Sequence, residues 1–575
     1  MVCQANAQNV TPAFQAADLR CAENLLACYC RDIAFSADEA RFDSHTGELE
    51  VELPAASSVL RVPIAHRSLT GAFELKGPVL QFAKASESGI APNGSRELNA
   101  IALLELLVSE ISVRQDRPPV GEIFDLVRDS RDVTQLFLEH HRPFPLTFVG
   151  AEQSLTFGHP FHPAPKSRQG WNSQELHRYS PELGARFRMH AFAVKPQFVV
   201  GESIIGRPCH ELVEEAVGGI ASCPDGLVPI VAHPWQAQHI LSTGLIDRML
   251  AERSIVHLGE VGEPVCATSS VRTLYRQSAP WFLKTSLSIR ITNCVRRQAV
   301  HELRSAIAVA RLASEQEAHL AATYPAFRLL SEPAWMSVDP LAGEQGWRSA
   351  VSESFGLLLR DAEPVRDVVA GGPLVAAALF GDRDLGRERL SKLLPVECKE
   401  AWFNSYVNAL VPPIMHLYFN AGIMFEPHLQ NVLVSGFSGK DVQILLRDFD
   451  NAKLVPGFFD SQRLEKMRPE VATELTYPHA QAWKRLIYCL VVNNLAEVAG
   501  ALALGDRLME SRLWQSLREC LENLLANTHQ REARAALLGL LHQPFLPTKS
   551  NLMTRIFKIR DRDAPFLTIP NPLVA

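Results

Sequence analysis

The sequence predicts a mixed α/β protein with several domains. At 575 residues the chain is too long for one hydrophobic core, and roughly two to four domains are expected. Short segments with the period-two alternation of strands precede His301, whereas apolar residues at helical spacing dominate after it. The composition, 47% hydrophobic and 21% charged, is that of a folded globular chain. These three observations favour an α/β class with a helical C-terminal part.

The first region, residues 1–145, is predicted to be a mixed α/β domain. Residues 49–53 alternate between apolar and polar side chains, which indicates a strand, and residues 97–108 form a strong helical run. The prolines in residues 142–145 mark its end. Three cysteines lie in or beside an apolar helical stretch and are predicted to be buried, since free cysteine behaves as a small hydrophobe; they are Cys21, Cys28 and Cys30.

The second region, residues 146–330, is predicted to be β-rich and to carry phosphate-binding loops. Short β-like runs at residues 198–200, 227–232 and 286–292 are separated by loops rich in His, Pro and Gly. The third region, residues 331–575, is predicted to be mostly helical, with helices as far as residue 541. Its exception is a predicted β-hairpin, which presents polar motifs on either side; it spans residues 432–446.

Charge and targeting signals exclude several classes of protein. With 57 basic and 63 acidic residues the net charge is −6, which argues against a nucleic-acid partner. We find no basic start followed by an apolar run, and no uninterrupted apolar stretch of the roughly 20 residues that a membrane helix needs. We therefore expect a cytoplasmic protein without a membrane partner. Eleven cysteines without a CxxC pair predict neither a disulfide framework nor a common zinc site.

Two segments far apart in the chain have the composition of one nucleotide site. His428, Gln430 and Asn431 lie in a polar loop before the predicted hairpin, and Asp448 follows the hairpin's second strand. Protein kinases hold magnesium in this way, with an Asn from the catalytic loop and an Asp from the next strand. The pattern predicts a site for a divalent metal and phosphates.

A third segment supplies more cations than a kinase needs. Ser270, Arg272 and Thr273 are predicted to lie on a strand, where Ser270 and Arg272 would share a face. Lys284 precedes the next predicted strand, and Arg296 follows it together with Asn293. Arg and Lys at strand ends around one cleft can clamp a polyphosphate. The alternative is a surface strand with a single salt bridge.

The loop at residues 158–171 places His159, His162, Lys166 and Arg168 between prolines and glycines. The prolines would lower the entropy lost when such a loop closes on a ligand. A zinc site is the rival interpretation, although no acidic or thiol partner stands at a familiar spacing. The turn at residues 233–236 is similar, and a packed Trp beside a satisfied His explains it equally well.

Together these segments resemble the NRPS-independent siderophore synthetases, the aerobactin synthetase-like (IucA/IucC) family. The resemblance extends in order and spacing over most of the chain, through residues 158–170, 233–236, 270–296, 426–431 and 447–450. It implies a cupped-hand architecture of thumb (1–145), fingers (146–330) and palm (331–575), with ATP between fingers and a faintly kinase-like palm. It also implies a homodimer.

The resemblance further implies an ATP-dependent ligase. The enzyme would adenylate a carboxylate, citrate or a citryl derivative, and condense it with an amine or alcohol, releasing AMP and pyrophosphate. The implied catalytic residues are His428, Arg296 and Lys284, and the implied Mg²⁺ ligands are Glu426, Asn431 and Asp448. The implied nucleotide-binding residues are Ser270, Arg272, Thr273, Lys284, His162, Lys166, Asn293, Gln430 and Asn431.

This chain departs from the family pattern at two positions. Pro427 stands where members often carry a small residue, and Asp450 stands near a common glycine. Two other functions stay open: a small-molecule kinase that releases ADP, and a non-catalytic binder of carboxylates or iron chelates. We expect Lys284→Ala and Arg296→Ala each to cost orders of magnitude in turnover and to leave the fold intact, since exposed site cations contribute little to stability.

Overall fold

The protein is represented by a computed structural model, which describes residues 11–84, 94–221, 223–291, 294–366, 372–560 and 563–574. It is 46% helical and 22% strand, which confirms the mixed α/β class. The predicted domain boundaries at residues 145 and 330 stay predictions.

The first part of the chain is an antiparallel six-stranded sheet packed against helices. The sheet has the order β1-β2-β3-β5-β6, and β4 pairs with β3. Thr11 caps the first helix by accepting from Phe14 N at 3.1 Å, and this helix continues into a π-helical turn, Cys30–Ala34. The elements are α1 (Pro12–Tyr29), β1 (Ala40–Asp43), β2 (Glu48–Leu53), β3 (Ser58–Arg67), β4 (Phe73–Leu75), β5 (Val79–Ala83), β6 (Ser95–Leu98), α2 (Ala100–Gln115) and α3 (Glu122–Glu139).

The local predictions for this part are largely confirmed. Strand β2 covers the predicted residues 49–53 and alternates between buried and half-buried positions. The predicted helix begins later than residue 97, at Ala100, because residues 95–98 pair with β5 and Asn99 caps the helix. The three N-terminal cysteines are buried, as predicted. Residues of α21 (Leu552–Ile556) complete this core, although they lie near the other end of the chain.

The middle of the chain builds an antiparallel eight-stranded sheet, of order β10-β8-β11-β12-β13-β18-β17-β9, and a three-stranded sheet, β15-β14-β7. The predicted strands at 227–232 and 286–292 are confirmed as β10 and β14, apart from residue 292, which lies outside the described residues. The predicted strand at 198–200 is confirmed for residues 199 and 200, where β9 begins after a 3₁₀ turn at residues 196–198. The elements are α4 (Phe148–Gln153), β7 (Arg168–Gln169), α5 (Ser173–Tyr179), β8 (Arg186–Val194), β9 (Val199–Ser203), α6 (Cys209–Val217), β10 (Val228–Ala232), α7 (Pro234–Ser242), α8 (Asp247–Ala251), β11 (Ile255–Ala267), β12 (Thr273–Tyr275), β13 (Trp281–Thr285), β14 (Leu287–Ile291), β15 (Cys294–Arg296), α9 (Val300–Ser314), α10 (Glu317–Thr323), β16 (Phe327–Leu329), β17 (Ala334–Val338), α11 (Gln345–Phe355) and β18 (Leu357–Asp361).

The last part is helical around a small four-stranded sheet, β16-β22-β21-β19. The predicted hairpin is confirmed: β21 and β22 pair antiparallel, and Gly436 at its turn has φ +79° and no room for a Cβ. The elements are β19 (Leu374–Val375), α12 (Ala377–Phe380), α13 (Arg383–Leu393), α14 (Lys399–Phe419), β20 (Ile423–Met424), β21 (Val432–Ser435), β22 (Gln443–Leu446), β23 (Lys453–Leu454), α15 (Ser461–Glu465), α16 (Pro469–Leu475), α17 (His479–Ile487), α18 (Ala496–Ala503), α19 (Arg507–Asn527), α20 (Arg531–His542), β24 (Phe545–Lys549), α21 (Leu552–Ile556) and β25 (Phe566–Pro570).

A second π-helical segment, Tyr488–Leu495, joins α17 to α18 in one continuous helix. This helix, His479–Ala503, is long and apolar enough to cross a membrane, but 83% of its apolar window is buried inside the protein. Its burial in the largest hydrophobic cluster identifies it as a core helix. The polar loop before β21 contacts the second π-helical segment, where Leu429 N donates to the Asn493 carbonyl. The polar loop at residues 158–166 contacts the first, where Arg31 lies over the ring of Phe161.

Candidate active site

A buried cluster of opposite charges lies where the eight-stranded sheet meets the hairpin of β21 and β22. Lys284, on β13, has its Nζ 2.5 Å from Asp450 Oδ2 and in closer contact with Asp448. The same Nζ is 3.9 Å from Glu332 Oε1. Lys284 is only 3% exposed, so the expectation of an exposed cation is wrong. Its position in the middle of a sheet, between β12 and β18, is the reason.

Three carboxylates of this cluster are close enough to share a cation. Oxygens of Glu332, Asp448 and Asp450 lie within 4.8 Å of one another. One oxygen of Asp450, Oδ1, is buried without a hydrogen-bond partner, which is an acceptor that a cation would satisfy. The donor set consists of hard oxygens, as Mg²⁺ prefers. These residues therefore fit a magnesium ion.

The predicted metal ligands are only partly in this cluster. Asp448 belongs to it, whereas the carboxylate of Glu426 pairs with Arg485 and is not a member. Asn431 is 5% exposed, and its Nδ2 donates to the Glu426 carbonyl at 3.1 Å. The assignment of Glu426 and Asn431 to the metal stays a prediction, and the structure groups Glu332 and Asp450 with Asp448.

Arg360 and Glu332 form a buried ion pair behind Asp448. Arg360 donates to Glu332 Oε1 at 2.9 and 2.5 Å and to Asp448 Oδ1 at 3.1 Å. The other oxygen of Glu332 accepts from Phe449 N at 3.0 Å, and Asp448 itself has φ +81°. A left-handed aspartate is strained, and the surrounding contacts hold it there. Burial raises the pKa of Asp448, but Lys284 and Arg360 outweigh it and hold the pKa below its usual range.

The predicted phosphate-binding segment is a turn followed by a strand. Strand β12 begins only at Thr273, and Val271 has φ +68°. Ser270 Oγ accepts from Thr273 N at 3.1 Å, which closes the turn. The prediction that Ser270 and Arg272 share a strand face is therefore wrong. Thr273 nevertheless pairs with Lys284 across the sheet, and Arg272 Nη2 is 3.6 Å from Asp450, so this segment joins the cluster.

Arg296 is anchored next to this turn. It ends β15, and its carbonyl accepts from Arg272 Nη1 at 3.5 Å. Its Nη2 donates to the carbonyl of Ile291, on the neighbouring strand, at 3.2 Å. Asn293, predicted to contact the nucleotide, lies outside the described residues.

A second buried ion pair connects the turn to the loop that carries His428. Glu152, on α4, accepts from Arg447 Nη1 at 2.6 Å and from Ser269 N and Oγ at 3.0 and 2.7 Å. Arg447 also donates to the carbonyl of Gln430 at 3.1 and 2.8 Å. Gln430 reaches back to Ser269 Oγ at 3.3 Å. The pair of Glu152 and Arg447 therefore fixes the turn at Ser269 relative to the polar loop at Gln430.

The three histidines of the two polar loops are near one another. Desolvation lowers the pKa of His159, and the charges of His162 and His428 lower it further. Burial also lowers the pKa of His428, although Glu426 and Asp448 oppose the shift. A neutral His428 near neutral pH is able to accept a proton.

Lys166 is buried and paired with an acidic side chain. It is 4% exposed, and its Nζ lies 2.7 Å from Glu182 Oε1, to which Arg168 also donates at 3.1 Å. The predicted nucleotide contact of Lys166 stays untested, and the observed contacts give it a structural role in shaping the loop. His162, 7% exposed, accepts from Ala164 N at 3.0 Å through Nδ1.

Sequence reasoning missed the partners of the predicted residues. It did not single out Glu332 and Arg360, nor the role of Glu152 and Ser269. One local signal was present: Arg360 directly follows the buried apolar run Leu357–Leu359 on β18, and a charge at the end of a buried strand requires a partner. No local pattern shows that this partner is Glu332, because the contact joins two different parts of the chain.

The turn at His233 is packed against aromatic rings, but its histidine is satisfied only at Nδ1, because Nε2 is buried without a hydrogen-bond partner among the described residues. The His233 ring stacks near Trp171, and Nδ1 accepts from Trp235 N at 3.2 Å, capping α7. His233 is fully buried, and burial lowers its pKa to about 3, with small contributions from His190 and Arg178.

We expect His233 to make the protein acid-sensitive. The unfolded chain binds a proton at this residue near pH 6.5 and the native chain does not, so stability is complete above about pH 6.5 and falls as the pH drops. The wild type should lose about 2 kcal/mol of its free energy of unfolding between about pH 7 and about pH 5 because of His233. His233→Asn keeps the helix cap and should not show this loss. Urea unfolding at both pH values measures it. Equal pH slopes for His233→Asn and the wild type would contradict the assignment, and exposed His529→Asn is the control.

We expect Glu152→Gln to uncouple the turn from the polar loop. The buried cation of Arg447 loses its counter-ion, which costs about 3–5 kcal/mol in the free energy of unfolding. Glu400→Gln, which breaks an exposed pair with Arg512, should cost no more than about 1 kcal/mol. Denaturant titration compares the two variants, and similar losses would show that the Glu152 pair has no special role.

Comparisons with known proteins agree with this fold. Residues 147–381 match the model of the IucA / IucC family, and residues 400–564 match that of the ferric iron reductase FhuF-like transporter family. The chain is 29% identical to the rhizobactin siderophore biosynthesis protein RhbC of Rhizobium meliloti over 96% of each chain. It is 26% identical to the spermidine-citrate ligase of Bacillus anthracis over 84% of each.

The fold is that of the aerobactin synthetases. The structure of ATP-bound aerobactin synthetase IucA from Klebsiella pneumoniae matches with a TM-score of 0.82 at 24% identity, over 97% of this chain and 99% of that one. The region of residues 147–381 matches the IucA/IucC family, whose model covers that part of the chain. The resemblance seen in the sequence is thereby confirmed.

Proposed function

We propose that this protein is an ATP-dependent siderophore synthetase that adenylates citrate or a citryl derivative and joins it to an amine or alcohol. The observation that carries the proposal is the meeting of Lys284 and Arg272 with Asp448 and Asp450 in one cluster. The cluster therefore combines cations, which can bind phosphates, with carboxylates, which can bind Mg²⁺. Relatives named as citrate ligases support the same reaction class.

The first half-reaction needs this many cations. The substrate carboxylate oxygen attacks the α-phosphorus of ATP, the bond between the α-phosphorus and the bridging oxygen breaks, and pyrophosphate leaves. Two anions approach each other, so Lys284, Arg272 and Arg296 must neutralise both. Mg²⁺ held by Asp448, Asp450 and Glu332 would supply further charge neutralisation at the phosphates.

The second half-reaction requires positioning and removal of one proton. The amine nitrogen or alcohol oxygen attacks the acyl carbon of the adenylate, the carbon–oxygen bond to AMP breaks, and AMP leaves. The nucleophile loses a proton, and we assign its acceptance to His428, because burial keeps this ring neutral near neutral pH. The proposal includes AMP and pyrophosphate as products, a homodimer as the assembly and the cytoplasm as the location.

Nucleotide product analysis tests the proposal. Purified protein is incubated with Mg-ATP, hydroxylamine as a surrogate amine, and citrate, 2-oxoglutarate or another carboxylate. We expect AMP, pyrophosphate and a hydroxamate of citrate or of a citryl compound. ADP with a phosphorylated acceptor would replace the proposal with a small-molecule kinase. Citrate binding without ATP and without turnover would replace it with a binding protein.

A further inference from the structure

Two helices change to π-helical geometry where they face the loops of the candidate site. One change is at Cys30–Ala34, after α1, and the other is at Tyr488–Leu495, between α17 and α18. π-Helical turns are rare and are frequent at functional sites. An additional residue in a turn rotates the following residues by about 100° around the helix axis, so it decides which side chains face a neighbouring loop.

The first π-helical turn holds the loop that carries His162. The guanidinium carbon of Arg31 lies 3.2 Å from the ring centroid of Phe161. The adjacent residue, Asp32, accepts from Ser550 Oγ at 2.8 Å and from Leu552 N at 2.9 Å, which fixes the start of α21. The start of α21 also contacts the loop that carries His162, through Asn551.

Asn551 links that helix start to the loop and to the second π-helical segment. Its Nδ2 donates to the carbonyl of Phe161 at 2.7 Å, directly before His162 in the sequence. The same Nδ2 is 3.4 Å from the hydroxyl of Tyr488, the first residue of the second segment. Phe161 is therefore held from both sides, by Arg31 and by Asn551.

The second segment holds the residues on either side of His428. Asn494 Nδ2 donates to the carbonyl of Pro427 at 2.8 Å, and the carbonyl of Asn493 accepts from Leu429 N at 3.2 Å. Tyr406 fixes the Asn494 amide by donating to its Oδ1 at 2.8 Å. Asn494 is fully buried, so these bonds have no competition from water.

We propose that the two π-helical segments are positioning devices for the two histidine loops, with Asn494 acting on His428 and Asn551 on His162. This inference rests on the proposed function, because it concerns the same site. Neither Asn donates to the phosphate-side cations in the described structure, which lie in the turn before β12 (Arg272), on β13 (Lys284) and on β15 (Arg296). Displacement of His428 should therefore affect the carboxylate and the chemical step, whereas displacement of His162, an expected nucleotide contact, should also affect the binding of ATP.

The test compares Asn494→Leu with a matched buried asparagine. Asn571 is 5% exposed and donates to two carbonyls, of Leu540 and Gln543, at 2.8 Å each. Asn571→Leu should lower the melting temperature to a similar extent and leave kcat unchanged. Asn494→Leu should lower kcat by about 10²-fold and raise KM for the carboxylate, with KM for ATP unchanged, since small misplacements of reacting groups have effects of this size.

A second variant covers the case in which Asn494→Leu does not fold. Asn551→Ala affects a half-buried residue and should likewise lower kcat and raise KM for ATP, because His162 is an expected nucleotide contact. Unaltered kinetics in a folded Asn494→Leu or Asn551→Ala would overturn the inference. A loss of kcat that leaves both KM values unchanged, and that is matched by an equal loss in Asn571→Leu, would also overturn it. A wild-type protein that forms no AMP and no hydroxamate would instead refute the proposed function.

Discussion

Replacing Lys284 with methionine should slow adenylation strongly and also weaken the fold. The Nζ of Lys284 pairs with Asp448 and Asp450 and lies near Glu332, so its loss leaves three carboxylates with only Arg272 and Arg360 as counter-ions, at a cost of about 3–5 kcal/mol. Loss of a charge that stabilises the transition state lowers the rate by about 10²–10³-fold. Citrate-dependent exchange of pyrophosphate into ATP measures the first effect, and denaturant unfolding measures the second.

Lys399→Met is the matched control for this prediction. Lys399 is half-buried and donates to the carbonyl of Leu502 at 2.8 Å, away from the cluster. Its replacement should lower stability only slightly and leave the exchange rate at the wild-type value. If Lys284→Met retained wild-type exchange, the cluster would not be the phosphate site. If it lost exchange without any loss of stability, the ion pairs with the carboxylates would contribute nothing to folding.

Replacing Asp448 with asparagine should remove metal-dependent activity by about 10²-fold or more. The variant keeps the size of the side chain but loses the charge that faces Lys284 and Arg360 and that would hold Mg²⁺. The rate as a function of Mg²⁺ concentration measures the effect. We expect saturation at higher Mg²⁺ than in the wild type, together with a lower maximal rate.

The charge of Asp448 should also make the stability of the protein depend on pH. Because the native pKa of Asp448 is held below its usual range, the stabilisation is present above about pH 3.9 and is lost as the pH falls further. Asp448→Asn should therefore show a shallower loss of stability in acid than the wild type.

Asp450→Asn is the comparison within the same cluster, since Asp450 also pairs with Lys284. A changed Mg²⁺ dependence in Asp450→Asn would make both carboxylates metal ligands. An unchanged Mg²⁺ dependence in Asp448→Asn would contradict the metal assignment.

The predictions that held concern features encoded over a few residues. The hairpin of β21 and β22 follows from two apolar runs around a glycine, and β10 and β14 follow from alternation or apolar runs. The prediction for Ser270 and Arg272 failed because a positive φ at Val271 turns the chain, and a valine gives no local signal for that conformation.

The sequence by itself determined the mixed α/β class, the positions of the polar loops and the resemblance to the siderophore synthetases, because these depend on residue types and spacing along the chain. Only the tertiary structure decided that Lys284 is buried, that Glu332 and Arg360 support Asp448, and that Glu152 connects Ser269 with Arg447. These contacts join residues more than a hundred positions apart in several cases, such as Glu152 and Arg447. Burial and ion pairing arise from the packing of whole elements, and no local pattern specifies which distant charge a residue will meet.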